Sequence, residues 1–218
     1  MGQLQSVKIV FALICLLALE GCASVALSIA GLAAGKGIDH TLSGTVERTF
    51  ASPVAGTYLA TLQTLKRMGM TVENSEQQDS VWKIDAVAEK RKIQIELEAL
   101  SDLSTQVGVV VSQSDFVFFK DSSTGIGILD QISVDLSGLT VDRHRFATVQ
   151  MLLVELGYDP GGIDGLKGKN TRNAILRFQR EHAIQPDGDI DRELIAMLRH
   201  QKAALEIATK NPEEEKLR

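Results

Sequence analysis

Residues 149–191 read VQMLLVELGYDPGGIDGLKGKNTRNAILRFQREHAIQPDGDID and set the architecture of the C-terminal part of the chain. Apolar residues recur there at helical spacing on either side of two glycine-rich turns. The first helical stripe ends at Gly157, and the next begins after Asn170, which predicts a side-chain cap for that helix. A third stripe carries Leu194 and Leu198. The pattern predicts an all-α bundle of three helices over residues 143–203.

Two Asp-Gly turns precede helices in this stretch, at Asp164-Gly165 and at Asp187-Gly188. Glycine allows the positive φ angle of a tight turn, and an aspartate before it can bond backbone amides two residues on. The two turns predict a degenerate internal repeat of a turn followed by a helix. Structural roles are the favoured interpretation for all four residues, with Asp164 also a candidate for ligand contact.

The same string closely resembles the peptidoglycan-binding domain of cell-wall hydrolases and lipoproteins. The resemblance rests on these matched positions: Val149-Gln150, Leu156-Gly157-Tyr158, Ile163-Asp164-Gly165, Thr171, Phe178-Gln179 and Asp187-Gly188. It implies a three-helix bundle with peptidoglycan as its partner. The chain departs from the family at Lys167, where an aromatic residue is usual, and at residues 191–194, where that family has Gly-Pro-x-Thr.

The candidates for contact with peptidoglycan are Tyr158, Asp164, Arg172, Arg177 and Gln179. Tyr158 follows a helix exit, where its ring could stack on a sugar face or its hydroxyl could bond a peptide carbonyl. Arg172 and Arg177 could pair with free carboxylates of the stem peptides, although a solvated helix face explains them equally well. Gln179 follows the core position Phe178 and is expected to point away from the core.

The N-terminus has the pattern of a bacterial lipoprotein signal. Lys8 is followed by an apolar run over residues 9–19, and small residues lie beyond it. The sequence LEGC at residues 19–22 resembles the lipobox, although its glutamate is atypical. Residues 1–21 are therefore expected to be a signal peptide, and Cys22 is expected to carry the acyl chains of a membrane anchor.

Two other interpretations of this segment stay open. An ordinary signal peptidase could cleave after Ala23 or Ala26, or residues 9–34 could span the membrane uncut. The second alternative would bury Glu20 at a cost of about 3 kcal/mol. By resemblance to lipoproteins, Ala23 after the cysteine favours the inner leaflet of the outer membrane, facing the periplasm. Residues 22–45, rich in Ala, Gly and Ser, predict a flexible tether.

Residues 46–138 predict an α+β domain in which a helix lies on an antiparallel sheet. Ser52-Pro53 predicts the start of that helix, with the proline at its first position, and Gly69 predicts its end. Alternating apolar residues predict strands near residues 82–88, 93–99 and 107–111, joined as hairpins by short polar connections. Another strand is predicted near residues 70–73.

A helical spacing of Ile126, Leu129, Ile132 and Leu136 closes this predicted domain. The arrangement resembles a family of small bacterial lipoproteins of unknown function over about residues 22–135. Charge also divides the chain, because residues 23–142 carry a net charge of -6 and residues 143–218 a net charge of +1. This shift predicts two domains. Residues 204–218 predict a charged tail without an assigned role.

Composition and absent motifs bound the function. The net charge of -5 argues against a nucleic acid partner. Cys15 and Cys22 both precede the predicted domains, which excludes a disulfide or cysteine metal site within them. The four histidines, His40, His144, His182 and His200, show no metal-ligand spacing. Phosphate-loop and Gly-x-Ser-x-Gly patterns are absent, so neither an enzymatic activity nor a cofactor is expected.

These patterns together predict a lipid-anchored envelope protein that binds peptidoglycan noncovalently through residues 143–203. Such a protein would hold the membrane near the wall or position its N-terminal domain there. A second hypothesis is an adaptor whose bundle has lost wall binding and docks other envelope proteins. A third is an accessory subunit that presents the wall to a separate hydrolase.

Overall fold

The structure, a computed structural model, describes residues 38–40, 44–78, 80–113 and 116–210. The predicted signal peptide, the lipidation site Cys22 and most of the predicted tether lie outside these residues. Within the described ranges, no helix is both long enough and apolar enough to cross a membrane. The chain from Ile38 onward forms one compact unit.

One antiparallel sheet carries the strands of the described chain. These are β1 (Ile38–His40), β2 (Val46–Phe50), β3 (Thr71–Gln78), β4 (Val81–Ala88), β5 (Arg91–Ser101), β6 (Ser104–Gln113) and β7 (Phe116–Lys120). Their order across the sheet is β1-β2-β6-β5-β4-β3, and β7 pairs with the end of β6 beyond β2. Strand β1 lies inside the predicted tether and pairs with β2, so the ordered fold begins earlier than the sequence indicates.

Alternation along the strands separates a buried face of the sheet from an exposed one, as the sequence predicts. In β5, the side chains of Ile93, Ile95 and Leu97 are at most 1 % exposed, and the residues between them are exposed. The register places Ile95 between Ile84 of β4 and Val109 of β6. These cross-strand neighbours form the floor of the main apolar core.

Two helices cover the buried face, α1 (Val54–Arg67) and α2 (Ser122–Ser137). Helix α1 begins one residue later than predicted, because Pro53 occupies the cap position rather than the first helical position. The Ser52 hydroxyl donates to the Pro53 carbonyl and caps no N–H group. The helix ends where predicted, since Gly69 adopts a φ angle of 73° directly after its last turn.

The carboxylate of Asp121 caps α2. It accepts hydrogen bonds from the hydroxyls of Ser123 and Thr124, each at 2.6 Å, and from the Thr124 N–H at 3.0 Å. The guanidinium of Arg91 lies 3.3 Å away. The bond from Ser123, together with those from Thr124, lowers the pKa of Asp121 to about 2.

We expect Asp121→Asn to destabilise the fold at neutral pH and to have a much smaller effect near pH 2. The folded-state pKa lies below the ordinary value of 3.8, so the ionised cap stabilises the fold above about pH 4 and loses this contribution as the pH falls toward 2. Asparagine retains a capping oxygen but has no charge to titrate. Urea unfolding of both proteins between pH 2 and pH 7 measures the difference. A difference that persists undiminished at pH 2 would contradict this role of the carboxylate.

Three further helices follow, α3 (Val141–Glu155), α4 (Lys169–Glu181) and α5 (Arg192–Lys210). They share a second apolar core built from Val149, Leu152, Leu153, Ala174, Ile175, Phe178, Leu194 and Leu198. The predicted fold class, an α+β part followed by an all-α three-helix bundle, is confirmed.

Two details of the bundle differ from the sequence prediction. Asn170 does not cap α4, because Gly168 occupies the cap position and the Asn170 side chain lies against Gly161. Helix α5 continues to Lys210, so the predicted charged tail is helical over residues 204–210.

Helix α3 joins the two parts of the chain into one unit. Its Ala147 and Met151 are buried in the main core together with Ile163, while Val149 and Leu153 belong to the second core. The His144 imidazole of α3 packs directly on Gly56 of α1. A Cβ atom at residue 56 would clash with that ring, so the close packing of the two helices requires glycine there. The two predicted domains therefore pack against each other through this helix of the second domain.

Candidate functional site

A buried glutamine holds the first Asp-Gly turn. Gln150 of α3 is 1 % exposed, and its Nε2 donates to Asp164 Oδ1 at 2.8 Å, the Leu166 carbonyl at 3.0 Å and the Thr171 hydroxyl at 3.1 Å. Its Oε1 accepts from the backbone N–H of Asp164 at 3.1 Å and of Gly165 at 2.8 Å. The Gln150 amide thereby provides hydrogen-bond partners for polar groups of the turn that would otherwise be buried without one.

The second Asp-Gly turn repeats this arrangement with fewer bonds. Gln179 of α4 is 3 % exposed, its Nε2 donates to Asp187 Oδ1 at 2.8 Å, and its Oε1 accepts from the Gly188 N–H at 2.9 Å. The glycines of the two turns have φ angles of 69° at Gly165 and 71° at Gly188. The two turns therefore have the same glycine conformation, and a buried glutamine amide binds each of them.

An arginine completes each copy of the repeat. Arg143 Nη2 donates to the Asp164 carbonyl at 2.8 Å, and Arg172 Nη2 donates to the Asp187 carbonyl at 2.9 Å. In both copies six residues separate the arginine from the glutamine on the same helix. The structure confirms the predicted repeat and extends it to four residues: Arg, Gln, Asp and Gly.

The two turns differ in what surrounds them. A Cβ atom at Gly165 would lie 2.7 Å from the Leu59 Cδ2 of α1 and 3.1 Å from the Arg143 carbonyl oxygen, so this turn is packed against the α+β part. The nearest neighbours of Gly188 are the side chains of Arg172 and Leu176 within the bundle. A cleft of about 610 Å³ adjoins the second turn. The second turn is therefore the open one.

Tyr158 and Arg177 form a surface cluster around Glu181. The Tyr158 hydroxyl donates to Glu181 Oε2 at 2.6 Å, and Arg177 Nε donates to Glu181 Oε1 at 2.8 Å. The guanidinium lies 5.4 Å from the centroid of the Tyr158 ring, and that ring meets Phe178 edge-on at 5.6 Å. Burial and the bond to Glu181 raise the pKa of Tyr158 to about 12, so its hydroxyl remains a hydrogen-bond donor at physiological pH.

The predicted site residues thus fall into two groups. Asp164, Arg172 and Gln179 are bound into the turns, whereas Tyr158 and Arg177 share the Glu181 cluster. The prediction that Gln179 points away from the core is wrong, since the second turn folds over its amide and supplies its polar partners.

Sequence reasoning missed the contacts made by three side chains of this region. It named Gln150 only as a position matched to the family and gave no role to Arg143 or Glu181, although the equal spacing of Arg143 from Gln150 and of Arg172 from Gln179 was visible in the sequence. The departure at Lys167 is also explained in part, because its Nζ bonds Asp189 Oδ1 at 2.7 Å and links the two turns. Across the described residues, no group of three or more His, Cys, Asp or Glu side chains is placed to hold a metal ion.

Comparison with known proteins identifies both parts of the chain. Residues 144–198 match the peptidoglycan binding domain family, and residues 6–115 match the family described as "Protein of unknown function (DUF3568)". The chain is also similar to the N-acetylmuramoyl-L-alanine amidase CwlM of Mycobacterium tuberculosis, with 32% identity over 82 residues. That alignment covers 36% of this chain and 19% of the amidase, so the chain spans about a fifth of that relative's length.

These matches confirm the expected resemblance to a peptidoglycan-binding domain and the expected resemblance of the N-terminal part to a family of unknown function. A peptidoglycan-binding domain implies a place in the cell envelope, where its ligand is found. Since residues 6–115 are half of the 218-residue chain, the protein belongs to the DUF3568 family of proteins of unknown function and carries a peptidoglycan-binding domain at its C-terminal end.

Proposed function

We propose that this protein is a lipid-anchored envelope protein that binds peptidoglycan noncovalently through its C-terminal helices. It would hold the membrane near the wall or position its N-terminal part there. The match of residues 144–198 to the peptidoglycan binding family is the observation that carries the proposal. The pair of glutamine-held turns supports it, because in each copy the glutamine amide bonds both the aspartate side chain and the glycine N–H of the turn.

The lipid anchor at Cys22 is the second element of the proposal. Its support is the lipobox-like sequence at residues 19–22, which follows an apolar signal-like segment. Many anchored copies facing one polymer would bind it jointly, so weak binding at each site would suffice for a stable link. The proposed location is the inner leaflet of the outer membrane, facing the periplasm.

We propose that the Tyr158–Arg177 cluster contributes to wall contact. The Arg177 side chain is 66% exposed, so a ligand can reach it beside the half-buried Tyr158 ring. Glu181 neutralises part of the arginine charge, so a stem-peptide carboxylate would have to compete with it. A sugar face stacked on the Tyr158 ring would not compete with Glu181, although on one side of the ring it would have to displace the Arg177 guanidinium.

We expect the full-length protein in detergent to pellet with purified sacculi, and expect Tyr158→Leu to weaken this binding roughly three- to tenfold, the effect of about 0.5–1.5 kcal/mol of lost ring contact. Arg177→Ala should weaken binding in the same direction. Arg145→Ala is the matched control, because Arg145 also lies over an aromatic ring, Phe146, and also pairs with a carboxylate, Asp142.

These measurements test the contact cluster and wall binding separately. Equal affinity of all three variants and the wild type would refute the cluster as a contact site. Failure of the wild type itself to pellet would refute wall binding and favour the adaptor. That alternative has one structural argument, since Leu59 of α1 covers the Gly165 side of the first turn, which leaves Asp164 and Leu166 as its exposed residues.

The similarity to an amidase supports the other alternative, an accessory subunit that presents the wall to a hydrolase. We propose a binding role for this chain and no hydrolytic activity of its own. The shared stretch is only 82 residues, about a fifth of the amidase, which suits a module common to both proteins better than a shared catalytic unit. Incubating the protein with sacculi and assaying released muropeptides tests this, because release by the purified wild type would overturn it.

A further inference from the structure

A groove of about 380 Å³ lies where the α+β part meets the bundle. One wall is the start of α1 and the hairpin between β5 and β6, and the other is formed by α3 and α5. Its volume falls in the range of about 300–1,000 Å³ that is usual for small-ligand sites, which favour such junctions. The lining combines apolar surface, including Ala99, Met151 and Ala203, with a few charged side chains.

The charged lining centres on Glu155, the last residue of α3. Its side chain is only 5% exposed, and its Oε2 lies 2.9 Å from Lys202 Nζ of α5. Gln77 Nε2 donates to the other oxygen, Oε1, at 3.3 Å. The Lys202 ammonium is within ion-pair distance but is not aligned for a hydrogen bond, so among the described residues Oε2 accepts none.

A buried carboxylate with an unused acceptor costs stability. Taking the charge out of water is unfavourable, and one lysine that is itself 30% exposed offsets only part of that penalty. A ligand that donates an N–H group or an ammonium to Glu155 Oε2, in place of the Lys202 ammonium now beside that buried oxygen, would complete its hydrogen bonding. Lys202, which also lies 3.8 Å from Glu206 Oε1, and the exposed Arg199 line the same groove, and a ligand carboxylate would then pair with them.

We infer that this groove binds the stem peptide of peptidoglycan, a short peptide of small side chains that carries both amino and carboxylate groups. Glu155 accepts from a peptide amino or amide group, and Lys202 and Arg199 pair with a carboxylate. Ala99, Met151 and Ala203 contact alanine methyl groups. This assignment rests on the proposed function and gives it a ligand.

The groove needs both parts of the chain. Its α1 and hairpin residues lie within the segment that matches the family of unknown function, and its α3 residues lie within the peptidoglycan-binding match. Neither part alone encloses it. Stem-peptide binding at this position would therefore involve residues of the α+β part as well as residues of the bundle.

The test fills the groove without disturbing either core. Ala203 is exposed on α5 and lines the groove, so Ala203→Trp should block it while leaving the cores intact. Ala196→Trp is the matched control, because Ala196 is exposed on the same helix and does not line the groove. Thermal unfolding of both variants checks that the fold is retained. Glu155→Gln then removes the carboxylate with little change in shape.

Binding of the full-length protein to sacculi is measured with a soluble disaccharide-tetrapeptide or a peptide-free chitooligosaccharide as competitor. We expect the disaccharide-tetrapeptide alone to compete, Ala203→Trp and Glu155→Gln each to weaken binding at least tenfold, and Ala196→Trp to bind like the wild type. Ala203→Trp that binds like the wild type, or competition by the sugar alone, overturns the inference while leaving wall binding in place. A wild type that never pellets overturns the proposed function itself.

Discussion

Gly165→Ala is expected to lower the free energy of unfolding by about 3 kcal/mol, because it combines a left-handed backbone with overpacking. The φ angle of Gly165 is 69°, a conformation that side chains rarely adopt. The new methyl group would lie 2.7 Å from Leu59 Cδ2 and 3.1 Å from the Arg143 carbonyl oxygen. Leu59 is 3% exposed, and the Arg143 carbonyl belongs to helix α3, so neither can move aside without disturbing the core.

Two other glycines have nearly the same φ angle as Gly165. Their alanine variants show how much of the loss in unfolding free energy comes from the contact with Leu59. Gly69 has a φ of 73° and no atom within 4 Å of its Cβ position, so Gly69→Ala should cost only the backbone term of about 1 kcal/mol. At Gly188 the nearest atoms are side-chain carbons at 3.0 Å and 3.2 Å, so its alanine variant should fall between the other two. Urea unfolding measures the series, and three equal losses would show that the Leu59 contact carries no energy.

Gln150→Leu is expected to cost about 4 kcal/mol, since it leaves buried polar groups of the first turn unpaired at about 1–3 kcal/mol each. Those groups are the N–H groups of Asp164 and Gly165, whereas the Thr171 hydroxyl keeps its bond to the Pro160 carbonyl. Gln179→Leu should cost less, about 2 kcal/mol, because Gln179 makes two such bonds in a more open turn.

Gln94→Leu serves as the control for the loss of a glutamine. Gln94 is exposed on β5 and makes one long bond of 3.4 Å to Asp85, so its replacement should change stability by no more than about 0.5 kcal/mol. Unfolding in urea gives the three values on one scale. A Gln150→Leu variant as stable as Gln94→Leu would show that the first turn does not depend on its amide anchor.

The secondary structure was predictable from the sequence wherever the apolar residues recur with a single clear period. Strand β5 alternates Ile93, Ile95 and Leu97 with charged or polar residues, and a strand with one buried face has no other stable arrangement. The bundle was readable for the same reason and through its resemblance to a known domain. Caps were less predictable, because Ser52 and Asn170 both had other partners within reach.

The joining of the two parts was not predicted, although α3 carries the signal. A stripe through Val149, Leu152 and Leu153 describes only the side of the helix that faces the bundle. Ala147 and Met151, on another side, are buried against the α+β part. A helix that is apolar on more than one side is typically covered on more than one side. The charge shift between the two parts therefore marked a change of composition within one folded unit.

The candidate site was predictable only in part, because hydrogen bonding between distant residues is not visible in a single sequence. Gln179 lies next to a core position, and only the return of the chain at Asp187 and Gly188 provides partners for its amide. Tyr158 and Arg177 were both singled out, yet Glu181, which joins them, was not. The groove at Glu155 draws on elements from both parts of the chain, so no local pattern could reveal it.

Strand β1 has a mechanical consequence under the proposed anchoring. It adds only three residue pairs to β2, at the margin of the sheet, so tension from the membrane would reach it before any other strand. Peeling β1 away would detach residues 38–40 from β2, about 10 Å of chain at about 3.3 Å per residue, while β2, β6 and β5 stay paired. The protein would thus yield by a fixed length when the envelope widens, without releasing its hold on the wall.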